Sequence, residues 1–253
     1  MSTETQRSGA RPGVAETQRS GVGAVSYSER RSRLVPATVW SKTGGGGRSE
    51  ILPDGCMDLI WTPDGLLVAG PDTSPVIASG APEMVALRFD PGIAPLVLGC
   101  AADELVNRRI DLADIAGAGP ARRLQLQVAE SADPAAELQR HAAARLVSMP
   151  PPRWLRPATA LLVRGTSVAD VAREVSASPR QLQRWSRQHY GYGAKSLQRI
   201  LRVNSAIGRL RGGAAPSDTA HLCGYADYAH MFREFRSVTQ RSPTEFAGQP
   251  SAA

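Results

Sequence analysis

Val168-Ala-Asp-Val-Ala-Arg-Glu-Val175, then Ser-Ala-Ser178, then Pro179-Arg-Gln-Leu-Gln-Arg-Trp-Ser-Arg-Gln-His189 is the stretch on which the fold turns. Val168, Val171, Ala172 and Val175 recur at i, i+3, i+4 and i+7, the spacing of one apolar helix face. Ser176-Ala-Ser178 breaks that helix. Ser178 supplies an N-cap and Pro179 suits the first helical position, so a second helix starts there. On it Leu182, Trp185 and His189 share one face, while Arg180, Gln181, Gln183, Arg184 and Arg187 point elsewhere. A helix, a short turn and a second helix with outward Arg and Gln is what major-groove reading requires. Arg can pair bidentately with guanine O6/N7, and Gln with adenine N6/N7.

Working outward, Gly191-Tyr-Gly193 ends the second helix, and Lys195 to Leu210 reads as a long one with Leu197, Ile200, Leu201 and Ile207 inward. Gly212-Gly213 punctuates. A short helix from Ser217 to Cys223, a Gly224-Tyr225 turn and a helix from Asp227 to Val238 then repeat the arrangement. Met231, Phe235 and Val238 keep the core period, whereas His230, Phe232, Arg233 and Arg236 face away. Upstream, Trp154 to Val163 reads as a helix, preceded by Met149-Pro-Pro-Pro152, which stops the helix before it and reads as a linker.

Residues 153–247 resemble the DNA-binding domain of the AraC family of bacterial transcription regulators. The resemblance rests on Ser178-Pro-Arg-Gln-Leu-Gln-Arg184, on Gly191-Tyr-Gly-Ala-Lys-Ser-Leu-Gln-Arg-Ile-Leu-Arg202, and on Ala220…Gly224-Tyr-Ala-Asp227. It continues through Phe235 to Ser242-Pro-Thr-Glu-Phe246. It implies a sequence-specific regulator whose two recognition helices enter successive major grooves of double-stranded DNA. Carried across by position, the base-facing residues are Arg180, Gln183 and Arg184, then Tyr228, Ala229, His230, Phe232 and Arg233. Arg180, Gln183 and Arg184 are good polar readers, so the first helix is expected to discriminate sequence more than the second. Three positions depart from the family pattern. Ser186 replaces a core aromatic whose volume Trp185 would fill, and Ser176 and Gln240 replace glycines. The last two require φ > 0 without glycine, at on the order of 1 kcal/mol each.

The charge distribution agrees with that reading. The 253 residues carry a net +7, and the charge is unevenly placed. Residues 34–149 hold nine basic and fourteen acidic side chains, while residues 150–253 hold fifteen basic and six acidic. The C-terminal part is therefore suited to a polyanion and the middle part is not. No apolar run approaches the roughly 20 residues of a membrane span, and no apolar h-region opens the chain. Three cysteines make no disulfide framework, and the expected compartment is the cytoplasm, on the nucleoid when bound to DNA.

The expected fold class is α+β. Residues 1–28, polar and containing Glu-Thr-Gln-Arg-Ser-Gly twice, read as a disordered tail, as do residues 248–253. Residues 29–148 read as a small β-barrel or sandwich with trailing helices. Its short strands (Val35–Trp40, Met57–Trp61, Leu66–Val68, Val76–Ala78 and Met84–Arg88) are separated by turns such as Pro53-Asp54-Gly55 and Pro63-Asp64-Gly65. From Ala101 the pattern turns helical, with Pro134 opening a helix that ends near Val147. The linker 149–152 and an all-α domain with two helix-turn-helix units over 153–247 complete the chain.

The stretch Trp40…Ile51-Leu-Pro-Asp-Gly-Cys-Met-Asp-Leu-Ile-Trp61…Val68-Ala-Gly-Pro-Asp72 is similar to the N-terminal domain of one AraC-like subgroup. That similarity implies a sensor or dimerisation module with no known ligand. Trp40, Asp54, Cys56, Asp58 and Trp61 are the candidate ligand residues there. Each also has a plain structural reading: core packing for the tryptophans, Asx caps for the aspartates, a small buried hydrophobe for Cys56. A His-based metal site is not expected, because the four histidines, at 141, 189, 221 and 230, all lie outside the strand region. Nor is an enzyme. A methyl-acceptor function would need a four-Cys zinc centre that Cys56, Cys100 and Cys223 cannot make. No cofactor is expected. Double-stranded DNA is the expected partner, with RNA polymerase, an effector and a second copy of the chain left open. The alternative is an architectural protein that coats DNA without sequence preference.

Overall fold

The computed structural model describes residues 25–44 and 47–249. The chain runs through β1 (Ser26–Arg31), β2 (Ala37–Thr43), β3 (Arg48–Ile51), β4 (Met57–Thr62), β5 (Gly65–Ala69), β6 (Val76–Ser79) and β7 (Glu83–Phe89). It continues with α1 (Ala94–Leu98), a 3-10 turn at Ala102–Leu105, β8 (Arg109–Asp111), α2 (Leu112–Ala116), α3 (Ala118–Ala129) and α4 (Pro134–Ser148). The helical remainder is α5 (Leu155–Val163), α6 (Val168–Glu174), α7 (Pro179–Tyr190), α8 (Ala194–Arg211), α9 (Pro216–Leu222), α10 (Tyr228–Thr239) and a closing 3-10 turn at Pro243–Phe246. The architecture is α+β, with the strands all N-terminal to the helical region that starts at α3.

The expected β-rich domain resolves into a six-stranded antiparallel sheet in the order β1-β2-β7-β4-β5-β8, with β3 and β6 forming a separate two-stranded ribbon. Register fixes which side chains share a face. Val39, Leu87 and Leu59 stand side by side across β2, β7 and β4, all buried, and pack towards helices that contribute Leu96, Leu124 and Leu138. One residue along, Trp40, Ala86 and Ile60 form the matching row on the opposite face. The period-2 geometry of a strand thus separates the two tryptophans singled out above: Trp61 belongs to the helix-facing core and Trp40 to the other side.

Three strands escape the sequence reading. β1 starts at Ser26, so residues 26–28 are paired with β2 and are not part of a tail; residues 1–24 of that expected tail lie outside the described residues. β3 is a four-residue segment, and β8 interrupts a region read as purely helical. Residues 250–253 also lie outside the described residues, whereas Gly248 and Gln249 are described.

Beyond Met149–Pro152, read as a linker, the two modules dock closely. One hydrophobic cluster runs from Val35 to Phe246 through both. Two glycines make the approach possible. At Gly92 (φ 89°) a Cβ would come within 2.6 Å of Leu155 Cδ1 and 2.9 Å of Tyr190 Cε1. At Gly191 (φ 84°) it would come within 2.5 Å of Pro71 Cγ. Polar contacts cross the same boundary. Asn204 Nδ2 donates to the Pro53 carbonyl at 2.7 Å, and Arg241 Nη1 lies 3.2 Å from Glu50 Oε2. His189 Nδ1 lies 3.1 Å from the Gly92 carbonyl oxygen, an acceptor, so this nitrogen carries the proton.

Candidate nucleic-acid interface

The first helix-turn-helix unit is α6 and α7. Ser167 caps α6 by accepting from the Asp170 N–H at 3.2 Å, and Val171 and Ala172 bury its inner face. The turn passes through Ser176 at φ 54°, the left-handed conformation expected of this non-glycine residue. Ser178 and Gln181 then close a reciprocal capping box: Ser178 Oγ accepts from the Gln181 N–H at 3.2 Å, and Gln181 Oε1 accepts from the Ser178 N–H at 2.9 Å. Pro179 at the first helical position costs α7 no hydrogen bond. Leu182, Ser186, His189 and Tyr190 are buried, and Gly191, left-handed, ends the helix.

Arg180, Gln183, Arg184 and Arg187 are exposed and follow one another at i, i+3, i+4 and i+7, so they form one stripe down α7. Gln181 is exposed too, and its Oε1 accepts from the Ser178 N–H in the capping box. Among the described residues, none of Arg180, Arg184 and Arg187 has a carboxylate partner. Their guanidinium donors are available. Trp185 does not fill the core beside Ser186. It is half-buried and stacks on Trp154, ring centroids 4.9 Å apart at 15°. Ser186 stays fully buried, with its hydroxyl lacking a protein partner.

The second unit, α9 and α10, repeats the path. Gly224 takes the left-handed position (φ 74°), and Asp227 caps α10 by accepting from the His230 N–H at 2.6 Å. Met231, Phe235 and Val238 bury the inner face, Phe235 packing edge-on to Phe246 at 5.8 Å. Gln240 ends the helix at φ 60°, again as the sequence requires of a non-glycine. Outward lie Ala229, Phe232, Arg233 and Arg236 at i, i+3, i+4 and i+7, with Tyr228 one turn before Phe232. Tyr228 and Phe232 are 37% and 39% exposed, their rings 6.4 Å apart. Arg236 Nη1 donates to the Gln240 carbonyl at 2.9 Å, closing the helix end.

His230 is half-buried and already engaged. Its Nδ1 accepts from the Ala226 N–H at 3.3 Å, and its Nε2 lies 3.5 Å from Glu234 Oε1. Tyr225 meets the ring edge-on at 5.4 Å. Glu234 also faces Arg199 and Arg202 of α8 at 3.8 and 3.6 Å, which ties α10 to the long helix.

The first unit is flanked by the N-terminal domain. The 3-10 turn Ala102–Leu105 runs along α7. A cleft of about 560 Å³ separates Ala101 and Asp103 on one wall from Arg180, Gln183, Arg184 and Arg187 on the other. Sequence reasoning missed Asp103, because only tertiary structure brings it to α7.

The N-terminal candidates divide. Trp40, Asp54 and Asp58 meet around Arg88, which the sequence reading passed over. Trp40 Nε1 donates to Asp58 Oδ2 at 3.0 Å, and Arg88 Nε lies 3.3 Å from Asp58 Oδ1 and 3.4 Å from Asp54 Oδ2. An Arg following the apolar run Met84–Leu87 within β7 was the available signal. Burial pushes Asp58 up to about 6, although the Arg88 guanidinium pulls the other way. Asp54 is raised for the same reason. Cys56 closes an Asx turn, its N–H donating to Asp54 Oδ1 at 2.8 Å, and burial raises its thiol well above the ordinary range, which leaves it a poor nucleophile. Trp61 stands on the opposite face, away from this cluster. Among the described residues, no group of three or more His, Cys, Asp or Glu is arranged to hold a metal ion. Among the same residues, no helix is long and apolar enough to cross a membrane.

Residues 171–249 match a protein family described as a helix-turn-helix domain, and residues 37–111 match one described as a domain of unknown function, DUF6597. A search of curated proteins returns no match. Among solved structures, ToxT from Vibrio cholerae O395 is 12% identical with a TM-score of 0.42, the alignment covering 85% of this chain and 97% of that one. Unsaturated fatty acid bound wild-type ToxT from Vibrio cholerae strain SCE256 is 11% identical with a TM-score of 0.44, over 94% of this chain and 100% of that one. The C-terminal part of the chain, residues 171–249, is thus similar to a helix-turn-helix domain, the kind of module with which DNA-binding transcription regulators hold their sites.

Proposed function

We propose that this regulator recognises a specific DNA sequence with both helix-turn-helix units, α7 and α10 entering successive major grooves, and that its N-terminal domain controls access to the first. The observation that carries the tandem reading is the matched stripe on each second helix. Arg180, Gln183, Arg184 and Arg187 on α7 occupy the same helical positions as Ala229, Phe232, Arg233 and Arg236 on α10, each set two residues past its N-cap. Bidentate Arg and Gln contacts supply roughly 1–3 kcal/mol of discrimination per good pair.

Control by the N-terminal domain rests on the docked boundary. Asp103 sits across a cleft from the α7 stripe, so DNA phosphates would meet a carboxylate and a wall there. The signal would enter at Trp40, Asp58 and Arg88. The Pro53–Cys56 turn holds Asp54 against Arg88 on one side and touches Asn204 and Leu197 of α8 on the other. A ligand that redirects Arg88 therefore moves the turn that contacts the DNA-binding domain.

Hydroxyl-radical footprinting of the full chain on a bound site tests the tandem reading. Two protected stretches on one face of the duplex, about 10 base pairs apart, are expected. A single stretch removes it, and uniform protection of every sequence with steep salt dependence favours the architectural alternative. Asp103→Asn tests the control. It should tighten DNA binding severalfold without altering sequence preference, and unchanged affinity would sink the gating.

A further inference from the structure

We propose that the second recognition helix reads thymine through its 5-methyl group, by apolar contact with Phe232 supported by Tyr228 and Ala229. The inference rests on the tandem reading above and adds the chemistry of its second half. Apart from Arg233, the charged side chains and the histidine of α10 that could have contacted base edges are held elsewhere. His230 has both ring nitrogens facing protein groups, Ala226 N–H and Glu234. Arg236 donates to the Gln240 carbonyl. Glu234 faces α8 and not the outside.

What remains outward at the reading positions is a methyl group at Ala229, two partly exposed aromatic rings at Phe232 and Tyr228, and Arg233. A ring left this exposed on a helix whose core is already filled by Met231 and Phe235 is not needed for packing. In the major groove the feature that an apolar side chain can recognise is the thymine methyl. Arg233 has no carboxylate partner among the described residues, so its guanidinium is available to hold the adjoining phosphate or a neighbouring guanine. The first unit therefore reads guanine and adenine by hydrogen bonds, and the second reads thymine by shape and desolvation.

The test uses the full chain and synthetic duplexes carrying its selected two-part site. Each thymine of the second part is replaced in turn by uracil, which keeps the hydrogen-bonding edge and removes only the methyl. Losing one buried methyl should weaken binding about fourfold at one or two positions. The same replacement in the first part should have little effect. Phe232→Ala should bind the thymine and uracil duplexes of the second part equally. A two-part site indifferent to uracil throughout overturns this inference and leaves the tandem reading standing, whereas a selected site with only one part overturns both. If Phe232→Ala leaves affinity for every duplex unchanged, the aromatic face serves a different partner and the inference is likewise overturned.

Discussion

The two helix-turn-helix units follow one backbone path and fill it with different chemistry. Where the first has Ser186, buried with an unpartnered hydroxyl, the second has Phe235, buried against Phe246. Where the first has Trp185 stacked on Trp154, the second has Glu234 facing Arg199, Arg202 and His230. Where the first has His189 beside Gly92 of the N-terminal domain, the second has Val238 inside its own core. The second unit is held by an aromatic centre and a charged tie to α8, with the Arg241–Glu50 pair as its polar link to the N-terminal domain. The first is completed from outside, by α5 on one side and the N-terminal domain on another. The unit with the outward stripe of Arg and Gln is thus also the one whose position depends on the rest of the chain.

Substitutions at matched positions sharpen or break this contrast. The largest effect belongs to Phe235→Ala, which should cost about 3–5 kcal/mol of stability as a fully buried aromatic lost from a packed core. The matched Ser186→Ala should leave stability unchanged or raise it by up to about 1 kcal/mol, because it removes a buried hydroxyl without a partner. Urea unfolding measures both, and equal costs at the two positions would contradict the asymmetry. Next comes Arg184→Ala, which should weaken DNA binding by about 1–3 kcal/mol and relax preference within the first half-site alone. Weakening spread evenly over all sequences would make Arg184 a phosphate contact instead.

Smaller changes follow at the two left-handed non-glycines. Ser176→Gly and Gln240→Gly should each stabilise by up to about 1 kcal/mol in thermal unfolding, since both residues hold φ near 60° at a steric cost. Loss of stability at either site would point to a side-chain role there. The smallest effect is the pH dependence that His189 brings to the first unit. Burial lowers the pKa of His189, so the unfolded chain binds this proton more readily than the folded one. Its contribution to stability is present above the unfolded value near 6.5 and is lost as pH falls through it towards the lower folded value. Comparing urea midpoints at about pH 7.5 and pH 5.5, His189→Gln should flatten part of the decline, whereas a variant of Val238 should not.

Local chemistry made the DNA-binding half legible. Ser178-Pro179 starts α7 and Gly191 ends it, while the positive φ at Ser176 and Gln240 follows from the family resemblance, whose pattern has glycine at both positions. The N-terminal half depends on distant partners and was read less completely. β1 is Ser-Tyr-Ser-Glu-Arg-Arg, an exposed edge strand with no apolar alternation, and becomes visible only through its pairing with β2. β3 and β8 are too short to carry a pattern. The inward face of α7 was legible, including His189, but not that Gly92, far earlier in the chain, would meet it. Among the candidate ligand residues, Trp40, Asp54 and Asp58 converge because strand register places them around Arg88, and Trp61 is separated because it is one strand position out of phase. That Gln181 Oε1 and His230 Nδ1 accept from backbone N–H groups depends on cap geometry, which residue type alone does not disclose.

The most direct measurement is selection of bound sites from random duplex DNA with the full chain, at fixed salt. The account predicts two enriched blocks about one helical turn apart, the first rich in guanine and adenine contacts on the strand that α7 reads, the second dominated by thymine. A pool that shows no enrichment, or binding that falls equally with salt for every sequence, would contradict it.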